Sequence, residues 1–192
     1  MIKSLLEDSI DIHGGGIDLI FPHHENEIAQ SEGVTEKPFV KYWMHNNFIN
    51  FGDTKMSKSL GNVITARSFL EQYNAEILKY LMLSVHYRSP LSLAHTQIQQ
   101  AIAALARIYS SLRDAQDIID SNISQGELEG EFRTILKDAQ ENFTQSLNAD
   151  FNTPAAFAQV FDVVRAFNAL ISKNTKVDET LKGQSIAFKG FV

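Results

Sequence analysis

Apolar residues along this chain fall into two textures, and the change between them comes near residue 65. Before it, "SIDIH" (9–13) alternates apolar and polar side chains, as a strand with one covered face does. That segment runs into Gly14, Gly15 and Gly16, which predict a tight turn. Pro22 stands where a first helical residue can stand, so a helix is expected through "HHENEIAQSE", ending near Gly33. The stretch "FVKYWMHNNFINF" (39–51) is aromatic and β-branched enough for one or two strands. A loop rich in Gly, Ser and Lys follows, "GDTKMSKSLGN" (52–62).

Beyond it the period is helical. Thr65 and Asn74 are N-cap residue types for two short helices, 66–73 and 75–86, the second stopped by "HYRSP". Three long amphipathic helices come next. Ile98, Ile102, Leu105, Tyr109 and Leu112 make one apolar stripe, and Phe132, Leu136, Ala139, Phe143 and Leu147 a second. Val160, Val164, Phe167 and Ile171 make the third, with Thr153 and Pro154 as its cap and first turn. Such stripes predict the core of a helical bundle. The tail after Lys173 is polar without a clear period and is expected to be loose. The expected fold class is therefore an α/β remnant followed by an all-α bundle, mostly α overall. One or two strands are too few for a stable parallel sheet, so the opening reads as the last part of a domain whose beginning is missing.

Composition adds exclusions. The 192 residues are 44% hydrophobic and 21% charged, a globular balance for one domain or two small ones. No apolar run approaches the roughly 18 residues of a membrane span, and residues 1–20 lack a secretory signal pattern. No membrane partner is expected. The absence of cysteine excludes disulfides and fits a reducing compartment, so a cytoplasmic location is expected. Net charge is −6, yet residues 53–113 carry seven Lys/Arg against three Asp/Glu. A positive stretch in an acidic chain suits a polyanionic ligand, although solvated helices segregate charge by chance as well.

Three segments carry candidate chemistry. In "KMSKS", Lys55 and Lys58 flank Met56 and Ser57, with Ser59 following. Two ammonium groups, two hydroxyls and backbone N–H donors can wrap a phosphate, although a basic surface loop looks the same in outline. His23 and Glu27 are four apart, so on a helix their Cβ atoms lie about 6 Å from each other and both can reach one zinc ion. A surface pair has that spacing too. Ile28 stands where a metalloprotease helix needs its second histidine. His24 and Glu25 are expected to point elsewhere, either supporting the ligands from behind or simply exposed. Gly14, Gly15 and Gly16, with Asp18, can let an adenine or ribose approach the backbone, or can simply make a tight connection.

In order, "DIHGGGIDLIFPHHENEIAQSE", "YWMHN", "KMSKSLGN" and "HYRSPL" closely resemble the cysteinyl-tRNA synthetases, a class I family. The similarity covers most of 9–113 and runs more loosely to about 171, where "DFNTPAAF" is similar to the start of a family helix. The resemblance implies ATP (with magnesium) and zinc as cofactors, and cysteine and tRNA(Cys) as partners. It implies activation of cysteine to cysteinyl-adenylate and transfer to tRNA. Lys58 would contact the departing pyrophosphate, with Lys55 and the serines shaping the loop. Gly14, Gly15, Gly16, Asp18 and the segment Lys55, Met56, Ser57, Lys58, Ser59 would bind ATP. His23 and Glu27 match a histidine and a glutamate that share zinc with two cysteines in the family. Those cysteines and the ATP-gripping His-Ile-Gly-His motif are absent, so the chain reads as the downstream part of such an enzyme, missing its N-terminal half.

On that resemblance residues 1–52 end the catalytic domain, 53–92 hold the signature loop and stem-contact region, and 93–192 an incomplete tRNA-binding bundle. Alone, the chain is expected to be inactive and to bind zinc weakly. Two alternatives stand beside this reading. One is the mycothiol-pathway cysteine ligase of the same fold; the other is a non-catalytic RNA-binding remnant.

Overall fold

The computed structural model describes residues 2–51, 54–55, 65–128, 130–174 and 176–192. Two units are distinguishable, one within Met1–Thr65 and Tyr87–Ala94, the other within Ala66–His86 and His95–Val192.

In the first unit a short helix α1 (Ile2–Leu6) precedes strand β1 (Ile10–Gly16). A 3-10 turn (Ile17–Leu19) and a wider turn (Ile20–His24) lead into α2 (Glu25–Thr35) and then β2 (Val40–Asn46). β1 and β2 run parallel, from Ile10 opposite Val40 to Gly16 opposite Asn46. Parallel neighbours need a crossover, and the segment holding α2 supplies it. The glycines do not make the predicted turn. Each pairs with β2 (Gly14 with Met44, Gly15 with His45, Gly16 with Asn46), and the chain turns only from Ile17. Pro22 opens the helix as predicted, through a wide first turn that merges into α2. Phe21 before it is extended (φ −132°, ψ 133°), as the residue ahead of a proline prefers, and regular helix starts at Glu25. β3 (Ile49–Phe51) pairs antiparallel with β4 (Thr54–Lys55) and parallel with β5 (Leu91–Ser92).

The second unit is helical: α3 (Ala66–Leu70), α4 (Ala75–Leu83), α5 (His95–Ile119), α6 (Glu131–Asn148), α7 (Thr153–Lys173) and α8 (Glu179–Phe191). Asn74 caps α4 as predicted, its Oδ1 accepting from Glu76 N–H at 2.9 Å. The cap of α7 is Asn152, one residue before the predicted Thr153. On α6 the predicted Phe132, Leu136 and Ala139 are buried, and on α7 so are Val164 and Phe167.

α5 turns inward a face that overlaps the predicted stripe only in part: Ile98 is buried, Ile102, Leu105 and Leu112 are half-buried, and Leu112 packs against the core. Ile98, Ala101, Ile108, Ser111, Ala115 and Ile118 are buried, while the expected Tyr109 is exposed. Small side chains, Ala101, Ser111 and Ala115, are buried there, and a stripe of large apolar residues does not mark them.

The tail after Lys173 is not loose. It forms α8, capped by Asp178, whose Oδ1 accepts from Leu181 N–H at 2.7 Å. Phe188 of α8 is fully buried and stacks on Phe167, with ring centroids 4.0 Å apart and planes within 5°. α7 is long and apolar enough to cross a membrane by composition. Its Val163, Val164 and Phe167 instead fill the bundle core.

A candidate metal centre beside the glycine strand

Parallel register sets the site. His13 in β1 stands opposite Trp43, and Gly15 opposite His45. The turn and helix that follow carry His23, His24 and Glu27. Helical spacing places both His23 (four back) and His24 (three back) near Glu27.

One carboxylate therefore meets imidazoles on both sides. His13 Nε2 lies 3.1 Å from Glu27 Oε2, and His23 Nε2 lies 3.8 Å from Glu27 Oε1. His13, His24 and Glu27 each offer a donor atom within 4.8 Å of the others. His24 Nδ1 and His45 Nε2 are 2.8 Å apart, one donating and the other accepting according to tautomer. That bond engages one nitrogen of His24 and leaves Nε2 toward the glycine strand. Trp43 closes the apolar side, 4.7 Å from the His13 ring and 4.9 Å from the His24 ring between centroids.

Two features make this more than a surface pair. Glu27 Oε2 is buried and accepts no hydrogen bond among the described residues, although His13 Nε2 stands beside it. A buried carboxylate oxygen without a donor costs free energy unless a cation or proton meets it. His24 is 3% exposed, and burial holds its imidazole below the usual histidine range. Positive charge on His13 and on His45 would push it further the same way. A neutral imidazole is the form that binds a metal. Nitrogen, nitrogen and carboxylate oxygen suit zinc and other borderline divalent ions.

The middle glycine has a specific role here. A Cβ on Gly15 would sit 2.6 Å from His24 Cε1 and 2.9 Å from its Nε2. On Gly14 it would meet only Met44 O, at an ordinary 3.6 Å. Gly16 is crowded by the Asp18 carboxylate, 2.5 Å from the position of its Cβ.

Sequence spacing alone finds His23 and Glu27, which the structure brings together. His24, expected to face elsewhere, is instead the most buried member of the cluster; Glu25 is exposed. His13 and His45 were not foreseen, because only the β1–β2 register places them. The signal available was a histidine immediately before three glycines. Lys55 pairs through β4 with Asn50. Met56, Ser57, Lys58 and Ser59 lie outside the described residues.

Comparison with known proteins bears on this geometry. A family profile described as the tRNA synthetases class I (C) catalytic domain matches residues 1–103, and one described as the DALR domain matches 142–188. A protein of Bdellovibrio bacteriovorus named Cysteine--tRNA ligase is 52% identical over 192 residues, covering 100% of this chain and 39% of that protein. One of the same name from Syntrophotalea carbinolica is 46% identical over 173 residues, covering 90% of this chain and 35% of that protein. Among solved structures, the ternary complex of Agrobacterium radiobacter K84 agnB2 LeuRS-tRNA-LeuAMS aligns with a TM-score of 0.69 at 22% identity, over 93% of this chain and 25% of that one. That likeness gives the fold: the end of a class I synthetase catalytic fold, followed by a helical bundle. The chain spans less than two-fifths of the length of these curated relatives.

Proposed function

We propose, on the premise that this chain belongs to the class I (C) tRNA synthetase catalytic-domain family, that it carries the metal-side and phosphate-side residues of a cysteine–tRNA ligase. The names of its relatives support that reaction, with tRNA rather than an amino sugar as acceptor. The observation that carries the reading is Glu27, a carboxylate with imidazoles at both oxygens and one oxygen buried without a donor.

Glu27 and His23 would hold the ion, with His13 at the second carboxylate oxygen, His24 beside them, and His45 hydrogen-bonded to the ring of His24. Zinc bound there supplies a Lewis acid that prefers a thiolate to an alcohol, a distinction that pocket shape alone makes poorly. The reaction needs no protein nucleophile. The cysteine carboxylate attacks the α-phosphorus of ATP, pyrophosphate leaves, and the adenylate then passes its acyl group to the terminal ribose of tRNA(Cys). What the protein contributes is position and countercharge. Lys58 would neutralise the departing pyrophosphate, with Lys55, Ser57 and Ser59 shaping the loop and Met56 among the ATP-binding segment. Gly14, Gly15 and Gly16 offer bare backbone, and Asp18 a carboxylate, to the nucleoside.

His23 and Glu27 supply half of a tetrahedral shell, and the imidazoles beside them are no substitute for two thiolates, so zinc affinity of the 192-residue chain is low. With no cysteine and no His-Ile-Gly-His motif, the chain alone does not catalyse cysteine-dependent pyrophosphate exchange. Equilibrium dialysis with zinc tests the site: weak binding that Glu27→Gln lowers further supports it. Binding indifferent to Glu27→Gln contradicts it. Steady exchange by the purified chain would overturn the claim of inactivity.

A further inference from the structure

The helical unit carries a cavity of its own. It is a groove of about 670 Å³ between α6, α7 and α8, and it carries both an apolar floor and a charge of one sign. Leu136 and Phe143 of α6, Val160 of α7 and Phe191 of α8 form the floor, buried or half-buried. On its rim α6 presents Arg133, Lys137, Gln140 and Thr144, all exposed, at intervals of four, three and four residues. That stripe is about 16 Å long at 1.5 Å per residue, or three helical turns.

Charge narrows the occupant. Residues 114–192 carry seven Lys/Arg against twelve Asp/Glu. The described lining of the groove nevertheless has Arg133 and Lys137 and no acid. Lys137 also stands 3.9 Å from Glu141 Oε1, an exposed contact too long and too solvated to neutralise it. On the opposite wall Ala187 and Gly190 are small, and a Cβ at Gly190 would meet nothing within 4 Å. Another backbone can therefore lie close to α8. RNA would match the two cations but leave the aliphatic and phenyl floor without a partner. A helix with one apolar face matches both.

We propose that the α6–α7–α8 groove is a docking site for an amphipathic helix of a protein partner, about three turns long, apolar inward and acidic on the flank meeting Arg133 and Lys137.

The probe is a labelled synthetic peptide of about 14 residues, with leucines at helical spacing and glutamates along one flank, read by fluorescence anisotropy against the 192-residue chain. A lysine-flanked version and a short RNA duplex serve as comparisons. The glutamate peptide is expected to bind. Gly190→Leu, which fills the groove with a better helix former, and Lys137→Glu are each expected to weaken it on the order of tenfold. Arg133→Glu with Lys137→Glu is expected to transfer preference to the lysine-flanked peptide. Circular dichroism melts of each variant identify any that unfold, and the charge-swapped preference is a gain that misfolding does not produce. Equal affinity for the two peptides, or binding indifferent to Gly190→Leu, overturns the proposal. So does RNA binding lost on Lys137→Glu without peptide binding, or self-association abolished by Gly190→Leu, which would assign the groove to a second copy.

Discussion

A single methyl group distinguishes the two neighbouring glycines of β1. Gly15→Ala places its Cβ within 3 Å of the His24 ring, whose edges are held by His45 and Trp43, so the imidazole has to leave the cluster. Gly14→Ala meets only a carbonyl at ordinary distance. Zinc dialysis is expected to show lost affinity for the first variant and near-normal affinity for the second. His24 also sets a pH dependence. Burial depresses its folded-state pKa below the ordinary value of about 6.5, so below that pH the unfolded chain takes up a proton that the folded one refuses. The unfolded state then binds more protons, and stability falls as pH falls through 6.5 toward the depressed value. Denaturant midpoints of the metal-free chain are expected to drop over that window, with a smaller drop in His24→Gln; equal slopes would contradict the assignment. His23 with Glu27 was legible because both sit on one continuous helix. His13, His24 and His45 were not, since their meeting depends on a strand register that spacing along the chain does not encode.

Among elements, α8 departs furthest from the sequence pattern. Its contacts are made as much by absent side chains as by large ones. Gly126 N–H donates to Glu179 O at 2.9 Å, and a Cβ on Gly183 would lie 2.4 Å from Gly126 O. Lys182 Nζ donates to the carbonyls of Ser121 and Ile123 at 2.8 and 2.7 Å, fastening the loop after α5 to the same helix. Among its buried residues Leu181 and Phe188 are the large apolar ones, too few to reveal the period. Ala101, Ser111 and Ala115 conceal the inner face of α5 for the same reason. α6 and α7 were legible because large apolar residues repeat along them. Phe188→Ala removes a fully buried stacked ring and is expected to cost about 3–5 kcal/mol in chemical denaturation. Gly183→Ala, with a backbone oxygen in the way, is expected to destabilise as well, whereas Gly190→Ala is expected to be neutral or stabilising.

At the scale of the whole chain, the two units differ in what holds them. The helical unit has a continuous core around Val163, Val164, Phe167 and Phe188. The other has a three-stranded sheet of strands only two or three residues long and a two-stranded parallel ladder, and it leaves Leu5, Ile12, Phe21 and Tyr42 61–76% exposed. Sheets so small are marginal in water. Hydrogen exchange is expected to show amides of α5 to α8 protected far longer than those of β1 and β2; the reverse order would contradict this account.

The central claim is that Glu27 and His23 present a cation to a substrate thiol. Cobalt(II) reports on it directly, because a thiolate on cobalt absorbs in the near ultraviolet and an alcohol does not. Titrating the chain with cobalt in the presence of cysteine is expected to give a protein-dependent thiolate band, absent with serine and lost in Glu27→Gln. The same band in Glu27→Gln, or spectra that do not distinguish cysteine from serine, would contradict it.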